Sequence, residues 1–343
     1  MRSSTSLSSS TACLVAVHFG PLPSWINLTL ETFSRNTAFN LLLVTDQPIH
    51  RTYSRGNIQV IKSSLAEFST LASQQLGFLV QVKRGYKICD FRPAFGHIFE
   101  SELRGYDYWG HIDLDTFWGD MATVLAPALM TQSDIICGEP NHVGGPFCLY
   151  RNCLEINRLY QKNHHHKEAF QREDNVDFDE IGINFDNHGF ETTVRQGEFQ
   201  GEISVYRDRQ FYLQDSDSSW WISQVQKAYP SDRPLGKKFE FGAGEWRSGK
   251  LTALKDNQDY LFYHFYDGKK RLFRPFSMQW CDQIESFKIG GAGFQLRYRS
   301  PFYKMLHLVE KSIISVIRWA IYDMGPLRHK LKAIVKLVTG STQ

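Results

Sequence analysis

The chain has 343 residues, of which 42% are hydrophobic, 14% aromatic and 22% charged, with a formal net charge of +3. That composition belongs to a globular protein and excludes a disordered or fibrous one, and the near-neutral balance argues against a general nucleic-acid binder. The length suits one large α/β domain or two medium ones.

Residues 1–10, MRSSTSLSSS, are polar and read as a mobile N-terminus. The apolar run 12–17 is too short to span a bilayer or to serve as a signal-peptide core, so the expectation is a cytoplasmic protein without a transmembrane helix. The six cysteines include no C-x-x-C pair and read as buried thiols in a reducing compartment.

Residues 13–17 predict a buried strand, and Gly20, Pro21 and Pro23 then stop regular structure. A helix fits 26–35, and strands fit 40–44 and 58–61. Strands alternating with helices indicate a doubly wound, mostly parallel sheet. Asp46 follows the second strand, where it either accepts hydrogen bonds from a nucleoside or acts as a turn acid. Helices are expected over 65–76 and 92–102. In YKICDFRP, which introduces the second of these, Lys87, Asp90 and Arg92 are candidates to hold a diphosphate, Arg92 through its two-pronged fit to phosphate oxygens. A solvated helix start is the other reading.

The segment 106–120, YDYWGHIDLDTFWGD, organises the rest. Tyr108, Trp109, Ile112 and Leu114 make a strand hydrophobic enough to be central, with Asp113 and Asp115 at its carboxyl end. Residues two apart in an extended chain point the same way, about 6.6 Å apart along it. Open α/β sheets bind ligands at that end, and a hard dication takes carboxylates, phosphates and water. The pair is therefore a candidate Mg²⁺ or Mn²⁺ site.

Downstream, a helix over 121–129 and a strand over 134–137 precede HVGGPFCLY (142–150), a Gly144-Gly145 turn and a strand. A helix begins at 154. His164, His165 and His166 are adjacent and cannot all face one ion, so they read as loop residues. The acidic run QREDNVDFDEIG (171–182) ends on Asp179 and Glu180, either of which can act as a general base towards a hydroxyl or cap a helix. The aromatic-rich 189–254 reads as β-hairpins covering the sheet. Residues 260–265, YLFYHF, are a strand; His264 near its end reads either as a core histidine or as the ligand completing a Mn²⁺ shell, with Lys269 and Lys270 offsetting phosphate charge.

From 297 onward, nine Lys or Arg face two acids, and apolar residues recur at helical spacing on both sides of Gly325-Pro326. This basic amphipathic tail, 297–343, suits an anionic membrane surface; the alternative is a helix pair packed on the protein's own core.

YKICDFRPAFGHIFE, YDYWGHIDLDTFWGD, the FDE phrase and YHF together resemble the bacterial GT-A-type glycosyltransferases of polysaccharide-synthesis clusters. The resemblance runs from about residue 13 to 270. It implies an α/β, GT-A-like (Rossmann-like) catalytic domain over 11–296, with β-hairpin additions and the helical tail outside it. It further implies a nucleotide-diphosphate sugar, a cation on Asp113 and Asp115, and transfer to a glycan or lipid-linked acceptor. His264 stands where that family places a C-terminal metal-binding histidine, although HFYDGK has altered spacing. Asp179 or Glu180 would be the base of an inverting enzyme. Two other functions fit the residues: a nucleotidyltransferase acting on sugar phosphates, though HFGPLPSW is no Gly-rich phosphate loop, and a non-catalytic carbohydrate-binding protein at the membrane, stacking sugars on Trp220, Trp221 and Trp246.

Overall fold

The computed structural model describes residues 11–49, 56–139, 142–208, 211–215, 219–229, 240–266, 281–290 and 293–306. In chain order the first half comprises β1 (Ala12–His18), α1 (Ile26–Ser34), β2 (Phe39–Thr45), β3 (Ile58–Lys62), α2 (Leu65–Leu76), a 3₁₀ helix (Gly85–Ala94), α3 (Phe95–Ile98), β4 (Tyr108–Ile112), β5 (Thr116–Trp118), α4 (Met121–Met130), β6 (Ile135–Cys137) and β7 (Phe147–Arg151). There follow α5 (Leu154–Asn157), α6 (His166–Gln171), α7 (Phe190–Phe199), β8 (Val205–Arg207), β9 (Tyr212–Gln214), α8 (Ser219–Ala228), β10 (Glu240–Phe241), β11 (Gly244–Arg247), β12 (Lys250–Ala253), β13 (Asp259–Tyr260), β14 (Phe262–His264), β15 (Ile284–Gly290) and β16 (Gly293–Tyr298).

The main sheet has seven strands in the order β3-β2-β1-β4-β7-β6-β8. Pairing is parallel from β3 to β4 and again between β6 and β8, and antiparallel only where β7 meets β4 and β6. This is the expected mostly parallel α/β sheet flanked by helices. The pleat sends alternate side chains to opposite faces. Leu14, Leu41, Leu43 and Ile112 pack against α1 and α4 on one face, while Val15, Leu42, Val44 and Trp109 pack against α2, α3 and α7 on the other. The helix α2 has its expected bounds because Ser64 and Glu67 form a reciprocal capping box and Gly77 closes it in the left-handed region.

A second sheet, β10-β9-β14-β5, and a third, antiparallel one, β13-β12-β11-β15-β16, cover the face that carries α1. Residues 189–254 therefore contain the expected hairpin at β11-β12, but the expectation of hairpins throughout is corrected by α7 and α8. In α7 the buried positions are Phe190, Glu191, Thr193, Val194 and Gly197, a helical repeat hidden among residues whose types suggested strands. The helix expected over 92–102 is instead the 3₁₀ helix, containing Pro93, and then the four-residue α3. His166 opens α6. Trp246 is buried, stacked on Phe287 at 5.3 Å, and its indole N–H donates to the Trp118 carbonyl at 2.9 Å, so it is core and no sugar-stacking surface. The side chains of Trp220 and Trp221 lie outside those described, as do residues 1–10, Lys269, Lys270 and 307–343. Among the described residues, no helix is long and apolar enough to cross a membrane.

Candidate active site

The strand β4 is buried along its whole length and lies between β1 and β7, so its chemistry is confined to its carboxyl end. There the Asp113 N–H donates to the Pro146 carbonyl at 3.0 Å, and the Thr116 hydroxyl closes the turn on the Asp113 carbonyl at 2.6 Å. Trp25 and Thr29 of the α1 side both donate to the Leu114 carbonyl at 3.0 Å. The peptide between the two aspartates is thus pinned from behind.

The chain then leaves the main sheet for β5, which pairs antiparallel with β14 in the register Thr116↔His264. The Phe265 N–H donates to the Asp115 carbonyl at 2.9 Å. This pairing brings a residue remote in sequence to the aspartates: one ligand atom each from Asp113, Asp115 and His264 lies within 4.8 Å of the others. His264 Nε2 is 3.5 Å from Asp115 Oδ1. An ion bound at about 2.1 Å holds adjacent donors about 3 Å apart and opposite ones about 4.2 Å apart, so this spacing fits a small dication with carboxylate and imidazole ligands. Behind it, the Tyr212 hydroxyl and His264 Nδ1 are 2.8 Å apart.

Arg92, delivered by the 3₁₀ helix, lies between two carboxylates. One guanidinium nitrogen meets Asp113, and the other donates to Asp179 at 2.9 Å and to the Gly145 carbonyl at 3.4 Å. Burial works against its charge, but Asp113, Asp179 and Glu180 more than offset that and hold its pKa well above the ordinary value.

Lys87 and Asp90 have a different position from the one expected. Both are buried; the ammonium donates to Asp90 at 2.8 Å and to the carbonyls of Ala169 and Asp174 at 2.5 and 2.9 Å. Asp90 in turn accepts the N–H groups of Val176 at 3.0 Å and Phe178 at 2.8 Å. All three lysine donors are spent inside the protein, so the pair anchors the segment that delivers Asp179 and Glu180 and has no donor left for a diphosphate. Asp46 sits at the carboxyl end of β2, accepting the Gly20 N–H and the Gln47 amide, both at 2.9 Å. That is the turn-acid arrangement.

Asp179 and Glu180 pack against the Gly144-Gly145 turn, whose φ values are +123° and +71°. An added Cβ at Gly144 would lie 2.8 Å from Glu180 Cγ, and one at Gly145 would lie 2.8 Å from Glu139 Cγ. The glycines make room for carboxylates, and positive φ makes them the least strained choice there. The Gly145 N–H donates to Glu180 at 3.0 Å. Burial raises the Glu180 carboxyl to about 8, with Arg92 pulling it down and Glu139 pushing it up. Burial also raises Asp179, against the pull of its ion pair with Arg92. Glu139 is raised well above the ordinary range, by burial first and by Cys137 second, while a hydrogen bond from Tyr212 acts the other way. His111 beneath the turn, 3.1 Å from the Gly145 carbonyl, is kept neutral by burial and by Arg92.

Tyr212 and Glu139 were not among the residues marked by sequence reasoning. Glu139 did carry a signal, an acid just past a short apolar strand, as Asp46 and Asp113 are. Tyr212 carried none, because only strand pairing brings it to His264.

Residues 14–294 match DUF6625, a family of unknown function. The chain belongs to this family. No curated protein matches it. Among solved structures, this DUF6625 member is similar to mouse xyloside xylosyltransferase 1 at 11% identity, covering 75% of this chain and 97% of that one with a TM-score of 0.37. It is also similar to the glycosyltransferase GlyE of Streptococcus pneumoniae at 13% identity, covering 66% of this chain and 52% of that one with a TM-score of 0.35. The galactosyltransferase LgtC, in complex with donor and acceptor sugar analogues, is similar at 11% identity over 62% of this chain and 79% of that one, TM-score 0.34.

Proposed function

We propose that this protein is a metal-dependent glycosyltransferase of cell-surface polysaccharide synthesis, moving a sugar from a nucleotide-diphosphate donor to an acceptor hydroxyl. The observation that carries the reading is the convergence of Asp113, Asp115 and His264 at the carboxyl end of a central strand, with ligand atoms within 4.8 Å of one another. When bound there, Mn²⁺ or Mg²⁺ supplies positive charge to the departing diphosphate. Asp115 and His264 are the direct ligands, and Asp113 is held in place by Arg92. In an inverting reaction the proton of the acceptor hydroxyl passes to the ionised form of Glu180, whose proton affinity burial raises towards the working pH. Lys269 and Lys270, five and six positions after His264, offset the diphosphate charge, while Asp46 serves as the turn acid that closes β2 on Gly20 and Gln47. The acceptor is a glycan or a lipid-linked glycan, with the basic 297–343 tail against anionic lipid on the cytoplasmic face.

The test is a thermal-shift screen of sugar nucleotides with Mn²⁺ or EDTA, followed by product analysis of each stabilising donor. The expected result is Mn²⁺-dependent stabilisation and release of free nucleoside diphosphate. Release of pyrophosphate would replace the reading with nucleotidyl transfer, and donor binding indifferent to EDTA would remove the metal.

A further inference from the structure

The hydrogen bond behind His264 continues into the protein. His264, Tyr212 and Glu139 are each at most 6% exposed. The Tyr212 hydroxyl lies 2.8 Å from His264 Nδ1, and Tyr212 is also the neighbour that pulls down the proton affinity of the buried Glu139 carboxyl. The three come from separate places in the chain: His264 ends β14, Tyr212 begins β9, and Glu139 follows β6. The parallel register of β9 and β14 sets Gln214 opposite His264, so Tyr212, two residues earlier, shares its face.

The direction of this chain is fixed by what His264 must do. An imidazole that binds a cation through Nε2 keeps a lone pair there, so its ring proton sits on Nδ1. Nδ1–H must then donate, and the atom facing it is the Tyr212 oxygen. A phenol that accepts at its oxygen still carries its own proton and needs an acceptor in a buried place. Glu139 supplies that acceptor. We propose that Tyr212 and Glu139 are positioning residues for the metal ligand, a buried chain His264 Nδ1–H to Tyr212 Oη–H to Glu139 that fixes both the tautomer and the ring orientation of His264. The inference rests on the metal-binding reading of Asp113, Asp115 and His264.

Glu139 also touches the turn that serves the second group of carboxylates. An added Cβ at Gly145 would lie 3.0 Å from Glu139 Oε1, while the same residue's N–H holds Glu180 and its carbonyl accepts Arg92. One glycine therefore spaces both the far end of the chain and Glu180, the proposed acceptor of the hydroxyl proton.

The experiment measures Mn²⁺ affinity by electron paramagnetic resonance on the full-length protein without donor, for wild type, Tyr212→Phe, Glu139→Gln and Glu139→Leu, with melting curves as a folding check. Tyr212→Phe removes only the hydroxyl and is expected to weaken Mn²⁺ binding about 10–100-fold, the usual cost of losing a partner behind a ligand. Glu139→Leu is expected to approach that loss. Glu139→Gln, which keeps an acceptor oxygen, is expected to weaken binding less than either. Wild-type affinity in a folded Tyr212→Phe protein overturns the chain and leaves the metal site standing. Wild-type affinity in Glu139→Leu overturns the part assigned to Glu139. Absence of Mn²⁺ binding in wild type overturns the metal reading and the chain together.

Discussion

Two pairs of acids, Asp113 with Asp115 and Asp179 with Glu180, lie on either side of Arg92 and differ in how their charge is met. The first pair occupies a turn between two sheets, with side chains 26% and 12% exposed and a histidine brought in from β14. The second is packed under a Gly-Gly turn; Asp179 is 4% exposed, with a protein cation of its own at 2.9 Å, and Glu180 is 19% exposed. Taking a carboxylate out of water is unfavourable unless opposite charge or a proton compensates. For the second pair the protein provides both, an arginine for Asp179 and a raised proton affinity for Glu180. For the first, Arg92 reaches only Asp113, and the arrangement of Asp115 with His264 is suited to an external cation. The difference teaches that two acidic pairs can be met in different ways, one set beside a histidine from another strand and the other supplied with an arginine and a raised proton affinity.

The largest expected effect comes from removing the ligand oxygen. Asp115→Ala should abolish detectable Mn²⁺ binding and lower transfer by about a thousandfold or more, since a bound cation contributes several kcal/mol to the barrier. Melting temperature should stay near that of wild type, because the contacts holding the turn are made by the Asp115 and Leu114 carbonyls. An Asp115→Ala protein with full activity would erase the distinction between the pairs.

Next is the residue the pairs share. Arg92→Met leaves Asp179 buried without its cation, and breaking such a pair costs about 3–5 kcal/mol. Asp113→Asn, at a position 26% exposed, should cost much less. The Arg92→Met deficit should shrink as pH falls, because Asp179 then takes up a proton instead of carrying an unpaired charge. Equal losses in the two variants by urea denaturation would mean that the pairs are equivalent.

Much of this was legible in the sequence, and the reasons are local. The strands at 13–17 and 40–44 and the helix at 65–76 announce themselves through apolar runs and a capping box, and Asp113-Leu114-Asp115 through its place after an apolar strand. What was hidden depends on pairing across distance. His264 looked more like a core residue, and only the pairing of β14 with β5 brings it beside the aspartates. Lys87 and Asp90 looked like phosphate ligands because charge is visible in a sequence and burial is not. The helix α7 was masked because its core face includes Thr193 and Gly197, and a period written partly in small residues gives little hydropathy signal.

The smallest effect tests the second pair through its protons. Burial puts the Glu180 carboxyl at about 8 against an ordinary 4.5. Between those values the native state binds a proton that the unfolded chain has released, so stability falls as pH rises across the window and is fully present only below it. Glu180→Gln keeps an oxygen for the Gly145 N–H and removes the titration. Unfolding free energies measured by urea at pH 5 and pH 8 should therefore converge in the variant, by on the order of a few kcal/mol relative to wild type. Asp179 shifts in the same direction and is raised in part by Glu180, so the difference between the two slopes reports Glu180 together with its effect on Asp179. Parallel slopes would mean that Glu180 is ionised in the folded protein at neutral pH, as exposed acids are, and that the second pair is not neutralised in the way its burial implies.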